Sequence, residues 1–257
     1  MKHLHKIFSK LRIFWTIILA SCLLSGCVDY DVAINFESQT HGEIVQHIQL
    51  GQQFTNFSGT TVQEWLDSIK QRASQLGGRT KQLQEGEILV TIPFNNGAEL
   101  EEKFNDFFNP LEKKKARPVP DLPDIKSHLS VTQSNWILAI RNQLVYDLDL
   151  RSLSVIAANG NVLLSPGSIL DLDFSLNTPW GATNVETGLE TLVTEKQNSQ
   201  LTWKLKSGEV NHLETVFWVP SPIGIGALVI ILLVALGSFL KYRLLPALGI
   251  GKRQAAV

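Results

Sequence analysis

Apolar and polar residues alternate from Tyr30 to Glu37, with Tyr30, Val32, Ile34 and Phe36 on one side and Asp31, Ala33, Asn35 and Glu37 on the other. A period of two predicts a half-buried strand. Ser38-Gln39-Thr40-His41-Gly42 supplies a turn, and Glu43 to Leu50 reads as the returning strand of a hairpin. After a polar stretch to Thr60 the spacing becomes helical: Val62, Trp65, Leu66, Ile69, Ala73 and Leu76 share one face. Thr61 and Glu64 form a capping-box pattern ahead of that face, and Gly77-Gly78 supplies the stop. The order then recurs. Arg79 to Gln84 and Glu87 to Pro93 flank a Glu85-Gly86 turn. Asn96 is placed to cap a second helix running to Phe108, with Leu100, Phe104, Phe107 and Phe108 as its apolar side.

Pro110 to Lys126 breaks the pattern with four prolines, Lys113-Lys114-Lys115 and Arg117, and reads as an exposed, extended loop or linker. Beyond it the pattern is strand-like over Leu129 to Gln133, Asn135 to Arg141, Asn142 to Leu150, Ile169 to Leu176, Leu201 to Lys206 and Val210 to Val219. Trp136 to Ile140 is apolar on both faces, which predicts a central place in the sheet. Ser207-Gly208 is expected to turn the last hairpin, and Asn159 to Gly167 and Thr178 to Asn198 to be loops, the second with a short helix. The expected fold is α+β: a ββαββα part over 27–109, the 110–127 linker, and a strand-rich antiparallel part over 128–219.

Two uncharged apolar runs frame this region. Ile13 to Leu24 is about a dozen residues long, follows Lys2, Lys6, Lys10 and Arg12, and ends in small residues. That is the make-up of a secretory signal, too short for a hydrocarbon core that needs about 20 helical residues. Ile223 to Leu240 has 18 residues without a charge, or about 27 Å of helix. Phe217 and Trp218 precede it, Pro220 and Pro222 mark its start, and Lys241 and Arg243 follow. Aromatic residues suit a membrane interface and positive residues stay on the cytoplasmic side. The run therefore reads as a transmembrane helix over 223–240, with 241–257 as a basic cytoplasmic tail. A buried core helix is the alternative.

Charge and cysteine use narrow the function. Eight of the 23 Lys and Arg lie in the two basic ends, which hold none of the 24 Asp and Glu, so the segment between carries a formal −9. An acidic surface repels phosphate backbones and argues against nucleic acid as a partner. The two cysteines are Cys22, inside the apolar run, and Cys27, just past it. The rest of the chain has neither a disulfide nor a cysteine metal site, so packing must hold it together.

Candidate chemistry is sparse. Asp147 and Asp149, and Asp171 and Asp173, each occupy alternate positions of an Asp-Leu-Asp strand, so four carboxylates converge if the strands pair. A hard cation such as calcium takes such ligands. The bland alternative is a solvated sheet face, since Tyr146, Leu148, Leu150, Leu170, Leu172 and Phe174 form the buried one, with Arg141 and Arg151 near enough to pair. His41, His47, His128 and His212 are scattered without the spacing of a zinc helix. No Gly-x-Ser-x-Gly elbow, P-loop or dinucleotide fingerprint occurs. The chain reads as a non-enzyme without catalytic, metal or cofactor residues.

Three stretches carry resemblances. Leu24-Ser25-Gly26-Cys27 resembles the lipoprotein signal of bacteria. That resemblance implies removal of residues 1–26 and lipid attachment at Cys27, whose thiolate suits the role; an ordinary signal followed by a chance cysteine is the alternative. Tyr146-Asp147-Leu148-Asp149-Leu150-Arg151, Thr178-Pro179-Trp180 and Phe217-Trp218-Val219-Pro220-Ser221-Pro222 resemble a cyanobacterial family of single-span proteins of unknown function. This implies a plasma or thylakoid membrane, with the domain on the extracytoplasmic or lumenal side. The hairpin from Asp31 to Leu50 is similar to the start of the LppM-like domain of actinobacterial envelope lipoproteins, which implies a lipid or other apolar ligand between sheet and helices. The resulting expectation is a membrane-held binding module, pinned flat at both ends; a scaffold for a membrane complex is the alternative.

Overall fold

The computed structural model describes residues 28–50, 59–84, 86–109, 125–152, 170–185 and 192–244. The expected lipid-attachment residue Cys27, the signal, most of the Pro/Lys-rich linker, the Asn159 to Gly167 loop and the end of the tail lie outside them.

Alternation produces the strands it predicts. β1 (Val28–Ser38) and β2 (His41–Gln49) pair antiparallel. α1 (Gly59–Gln75) follows, starting two residues before the expected Thr61 cap. β3 (Arg79–Gln84) and β4 (Glu87–Phe94) form the second hairpin. Gly86 there has φ +79°, a left-handed conformation that glycine adopts without a Cβ penalty. α2 (Gly97–Phe108) is capped as its sequence predicts: the Asn96 side chain accepts from the Glu99 N–H at 2.8 Å, and Glu99 accepts from the Asn95 N–H at 2.9 Å.

The later strands are β5 (Lys126–Trp136), β6 (Ala139–Asp149), β7 (Leu170–Asn177), β8 (Ala182–Asn184), β9 (Val193–Gln197), β10 (Gln200–Lys204) and β11 (Val210–Pro220). They do not form a sheet of their own. One sheet has the order β3-β4-β2-β1-β7-β10-β9 and the other β5-β6-β11-β8. β1 and β7 pair in parallel, Val32 opposite Phe174. Since β10 and β11 belong to different sheets, Ser207-Gly208 turns a crossing between sheets rather than a hairpin. The expected loop from Thr178 to Asn198 contains β8 and β9, short polar strands that no apolar alternation announces.

A single apolar core joins both sheets and both helices. Phe104 of α2 meets Tyr146 edge-on at 5.3 Å, Tyr146 stacks on Phe174 at 4.8 Å, and Phe36 lies 4.8 Å from Phe217. Val32 and Phe36 of β1 therefore lie level with Leu213 and Phe217 of β11, because Tyr146 is the partner of Leu213. β1 and β11 run in the same sense. At about 3.3 Å per residue, Val28 lies about 40 Å along the strand axis from Ser221, where β11 ends.

The outer edge of β5 is closed by side chains of α2. Asn105 donates to the Leu129 carbonyl at 2.7 Å and accepts from the Leu129 N–H at 2.9 Å. Glu101 accepts from the Val131 N–H at 2.8 Å, and Asn109 from the Ser127 N–H at 3.1 Å while donating to the Ser127 carbonyl. Four helical residues rise about 6 Å and two strand residues about 6.7 Å, so an i, i+4, i+8 row serves alternate strand residues. An edge otherwise open to pairing with another chain is blunted.

Candidate membrane interface

β11 runs into α3 (Pro222–Phe239), which a π-helical turn extends to Leu244. Ser221 caps this helix: its side chain accepts from the Gly224 N–H at 3.2 Å, and its carbonyl accepts from the Ile225 N–H at 2.9 Å. Pro222 sits in the first turn, where a missing N–H costs nothing. Among the described residues, Pro222–Leu244 is one helix long and apolar enough to cross a membrane, and almost all of it is exposed.

The first turn of α3 is docked on the β5–β6 hairpin. The Ser221 N–H donates to the Leu138 carbonyl at 2.9 Å. Gly224 lies so close to the tip that an added Cβ would fall 1.6 Å from the Ile137 carbonyl oxygen. Here the structure corrects the sequence expectation. Trp136 pairs with Ala139, so Ile137-Leu138 is a two-residue turn between strands and not the middle of one. Trp136 is 63% exposed and Ile137 81%. Trp218 touches Trp136, with ring centroids 6.2 Å apart. Ala182 pairs with Phe217, which brings Trp180, 60% exposed, to the same end of the sheet.

The aspartates divide. Asp147 and Asp149 lie on β6 and Asp171 and Asp173 on β7, in different sheets, so the four do not converge. Asp149 accepts from Arg151 Nη2 at 2.6 Å, Nε at 2.9 Å and the backbone N–H at 3.1 Å. Those bonds favour the carboxylate and hold its pKa down to about 2. Asp147 lies between His128 of β5 and His212 of β11 in register, with its Oδ1 2.5 Å from His212 Nδ1. The sequence reading missed this row, because spacing alone does not reveal which strands pair. His47 lies 2.8 Å from Glu87 and 3.8 Å from Asp31 on the outer face of the larger sheet, and His41 is exposed at the start of β2. Among the described residues, no group of three such side chains is placed to hold a metal.

A polar seam runs inside the fold. Tyr30 lies near Gln46 and Arg72 of α1; burial raises its pKa above the ordinary tyrosine range, and the two neighbours oppose that shift. Burial likewise lowers the pKa of Arg72, whose Nη1 donates to the Phe107 carbonyl at 2.5 Å and whose guanidinium lies 5.1 Å above the Phe107 ring. Burial also raises the pKa of Tyr146.

Fold and helix together define an α+β domain of two facing sheets joined directly to an apolar C-terminal helix. The pattern of the family described as "Protein of unknown function (DUF3153)" covers residues 32–246, so the chain belongs to that family. The NMR structure of the folded domain of LppM from Mycobacterium tuberculosis is similar to this chain with a TM-score of 0.38 and 13% identity, over 77% of this chain and 93% of that one. That likeness is weak. No match is found among curated proteins.

Proposed function

We propose that this protein is a membrane-anchored envelope lipoprotein whose extracytoplasmic α+β domain is a non-enzymatic binding module. The observation that carries this reading is the direct passage of β11 into an exposed, charge-free helix of 18 residues. Lys241 and Arg243 at its far end favour a cytoplasmic tail. Cys27 is the lipid-attachment residue in this reading, and a cyanobacterial plasma or thylakoid membrane is the setting. With Val28 and Ser221 about 40 Å apart along the strands, a lipid at Cys27 and a span at α3 pull on opposite ends of the domain and lay it along the bilayer. The ligand is a lipid or other apolar molecule. The half-buried Tyr30 and Arg72 beside the buried Gln46, at the margin of the apolar core, support it by setting polar groups next to apolar ones.

The test is mass spectrometry of the full-length protein purified from its native membrane. The reading expects a mature N-terminus at Cys27 bearing diacylglycerol, together with a lipid enriched over the bulk membrane. An unmodified N-terminus upstream of Cys27 removes the lipoprotein, and lipid in bulk proportions removes the apolar ligand.

A second reading, a scaffold for a membrane complex, is favoured by Gly226 and Gly237 on α3, where an added Cβ would meet nothing. The two are about three turns apart on one face, and small residues permit a close neighbouring helix. Crosslinking in native membranes that recovers a stoichiometric protein neighbour supports this reading; recovery of lipid alone counts against it.

A further inference from the structure

The geometry points to the β5–β6 hairpin tip, Trp136-Ile137-Leu138 with Trp180 and Trp218 beside it, as a second bilayer contact that sits in the membrane interface next to the start of α3. This rests on α3 spanning the membrane and goes beyond it, because a span by itself says nothing of what the domain does at the surface.

Turn chemistry is the first argument. Two-residue hairpin turns in water draw on Asn, Asp and Gly. This one is made by Ile137 and Leu138, both exposed and neither with a positive φ. Nothing in the backbone demands those side chains, and water does not favour them. An apolar tip is instead what a bilayer interface selects.

Depth is the second argument. Ala139 pairs with Pro220, so the turn projects beyond the last strand residue. Its carbonyls meet the helix start, Leu138 at the Ser221 N–H and Ile137 against Gly224. The tip is thus level with the first turn of α3, and wherever that turn meets the bilayer, the tip meets it too. Backbone groups at such a depth need partners within the protein, and the Leu138 carbonyl has one.

The surroundings agree. Trp136, Trp180 and Trp218, the large exposed tryptophans among the described residues, all lie at this end, whereas Trp203 is buried in the core. Tryptophan is enriched where bilayer meets water. Arg141 faces Trp218 and Ser134 in the register, two pairs farther from the tip and on the same face as Trp136, close enough to the tip to pair with lipid phosphates beside it. Glu214, held by Gln143 at 2.6 Å, and Asp147 come farther along the strands. On this face the acids therefore lie away from the tip, and the cation lies next to it.

The test uses the full-length protein in phosphatidylcholine vesicles carrying bromine at shallow or deep acyl positions. Intrinsic tryptophan fluorescence is read for the unaltered chain and for Trp136→Phe, Trp218→Phe and the core control Trp203→Phe. The expected result is stronger quenching by shallow than by deep bromines, with loss of part of that quenching in Trp136→Phe and Trp218→Phe and none in Trp203→Phe. Unchanged bromolipid quenching in Trp136→Phe and Trp218→Phe overturns the inference. Flotation of the same vesicles separates failure of the tip from failure of the span. Protein that floats but is not quenched through Trp136 refutes the tip alone, whereas protein that does not float refutes the span on which it rests. Ile137→Asp, at an exposed position, gives a second measure: the inference expects iodide in the water to quench Trp136 more strongly in that variant, and equal iodide quenching counts against it.

Discussion

Replacing Asn105 by alanine is the sharpest test of how the fold is closed. Its side chain makes two hydrogen bonds to Leu129, at 2.7 and 2.9 Å, and stands between the Glu101 and Asn109 contacts in one row. Leu129 is fully buried, so the substitution leaves one N–H and one C=O of an edge strand without partners inside the protein. Each orphaned group costs about 1–3 kcal/mol. Asn105 itself is half-buried, and solvent recovers some of the loss, so the expected destabilisation is about 2–4 kcal/mol. Against a total stability of about 5–15 kcal/mol, that is a large fraction. The assay is urea unfolding of the full-length protein in detergent micelles, followed by tryptophan fluorescence, with Lys81→Ala on exposed β3 as a control expected to change little. Asn105→Asp is expected to be at least as damaging, since it sets a carboxylate against the Leu129 carbonyl. A loss below about 0.5 kcal/mol in Asn105→Ala, the range of ordinary surface changes, would refute the edge-closing role.

Other outcomes follow from particular contacts. Asp149 has a depressed pKa, so its bond to Arg151 is present above the ordinary carboxylate range and is lost as pH falls toward about 2. An NMR titration should place the Asp149 carboxyl near that value in the native chain and near the ordinary range in Arg151→Ala. Gly224→Ala puts a methyl group into the Ile137 carbonyl, so tip and helix must separate; faster hydrogen exchange at the Ser221 amide is expected, and unchanged exchange counts against the docking. Cys27→Ser should stay membrane-bound through α3 while the domain tilts up from the bilayer, which fluorescence energy transfer from β3 to the membrane surface would register as an increased distance. Release of that variant into the soluble fraction would mean that α3 does not hold the protein.

Much of this was legible because it is local. Period-two alternation marked β1, β2, β4, β6 and β11, helical spacing marked α1 and α2, and Asn96 announced its own cap. What stayed hidden depends on pairing between distant segments. Nothing near Leu172 or Phe174 indicates that β7 joins β1 in parallel, and that one pairing spreads the later strands over both sheets. The same ignorance of register hid the separation of the two Asp-Leu-Asp pairs and the His128-Asp147-His212 row. The Ile137-Leu138 turn is hidden for a different reason: an apolar run reads as a buried strand when water is the assumed solvent. Glu101, Asn105 and Asn109 did carry a signal, a polar row at i, i+4, i+8 beside an apolar face, and an edge strand is what such a row serves.

The central claim is that α3 crosses the membrane with the two-sheet domain outside. Protease added to intact spheroplasts, with a tag on the C-terminal tail, tests it most directly. Digestion of the domain with a protected, tagged fragment that includes α3 is the expected result. An intact domain with a digested tag would contradict it.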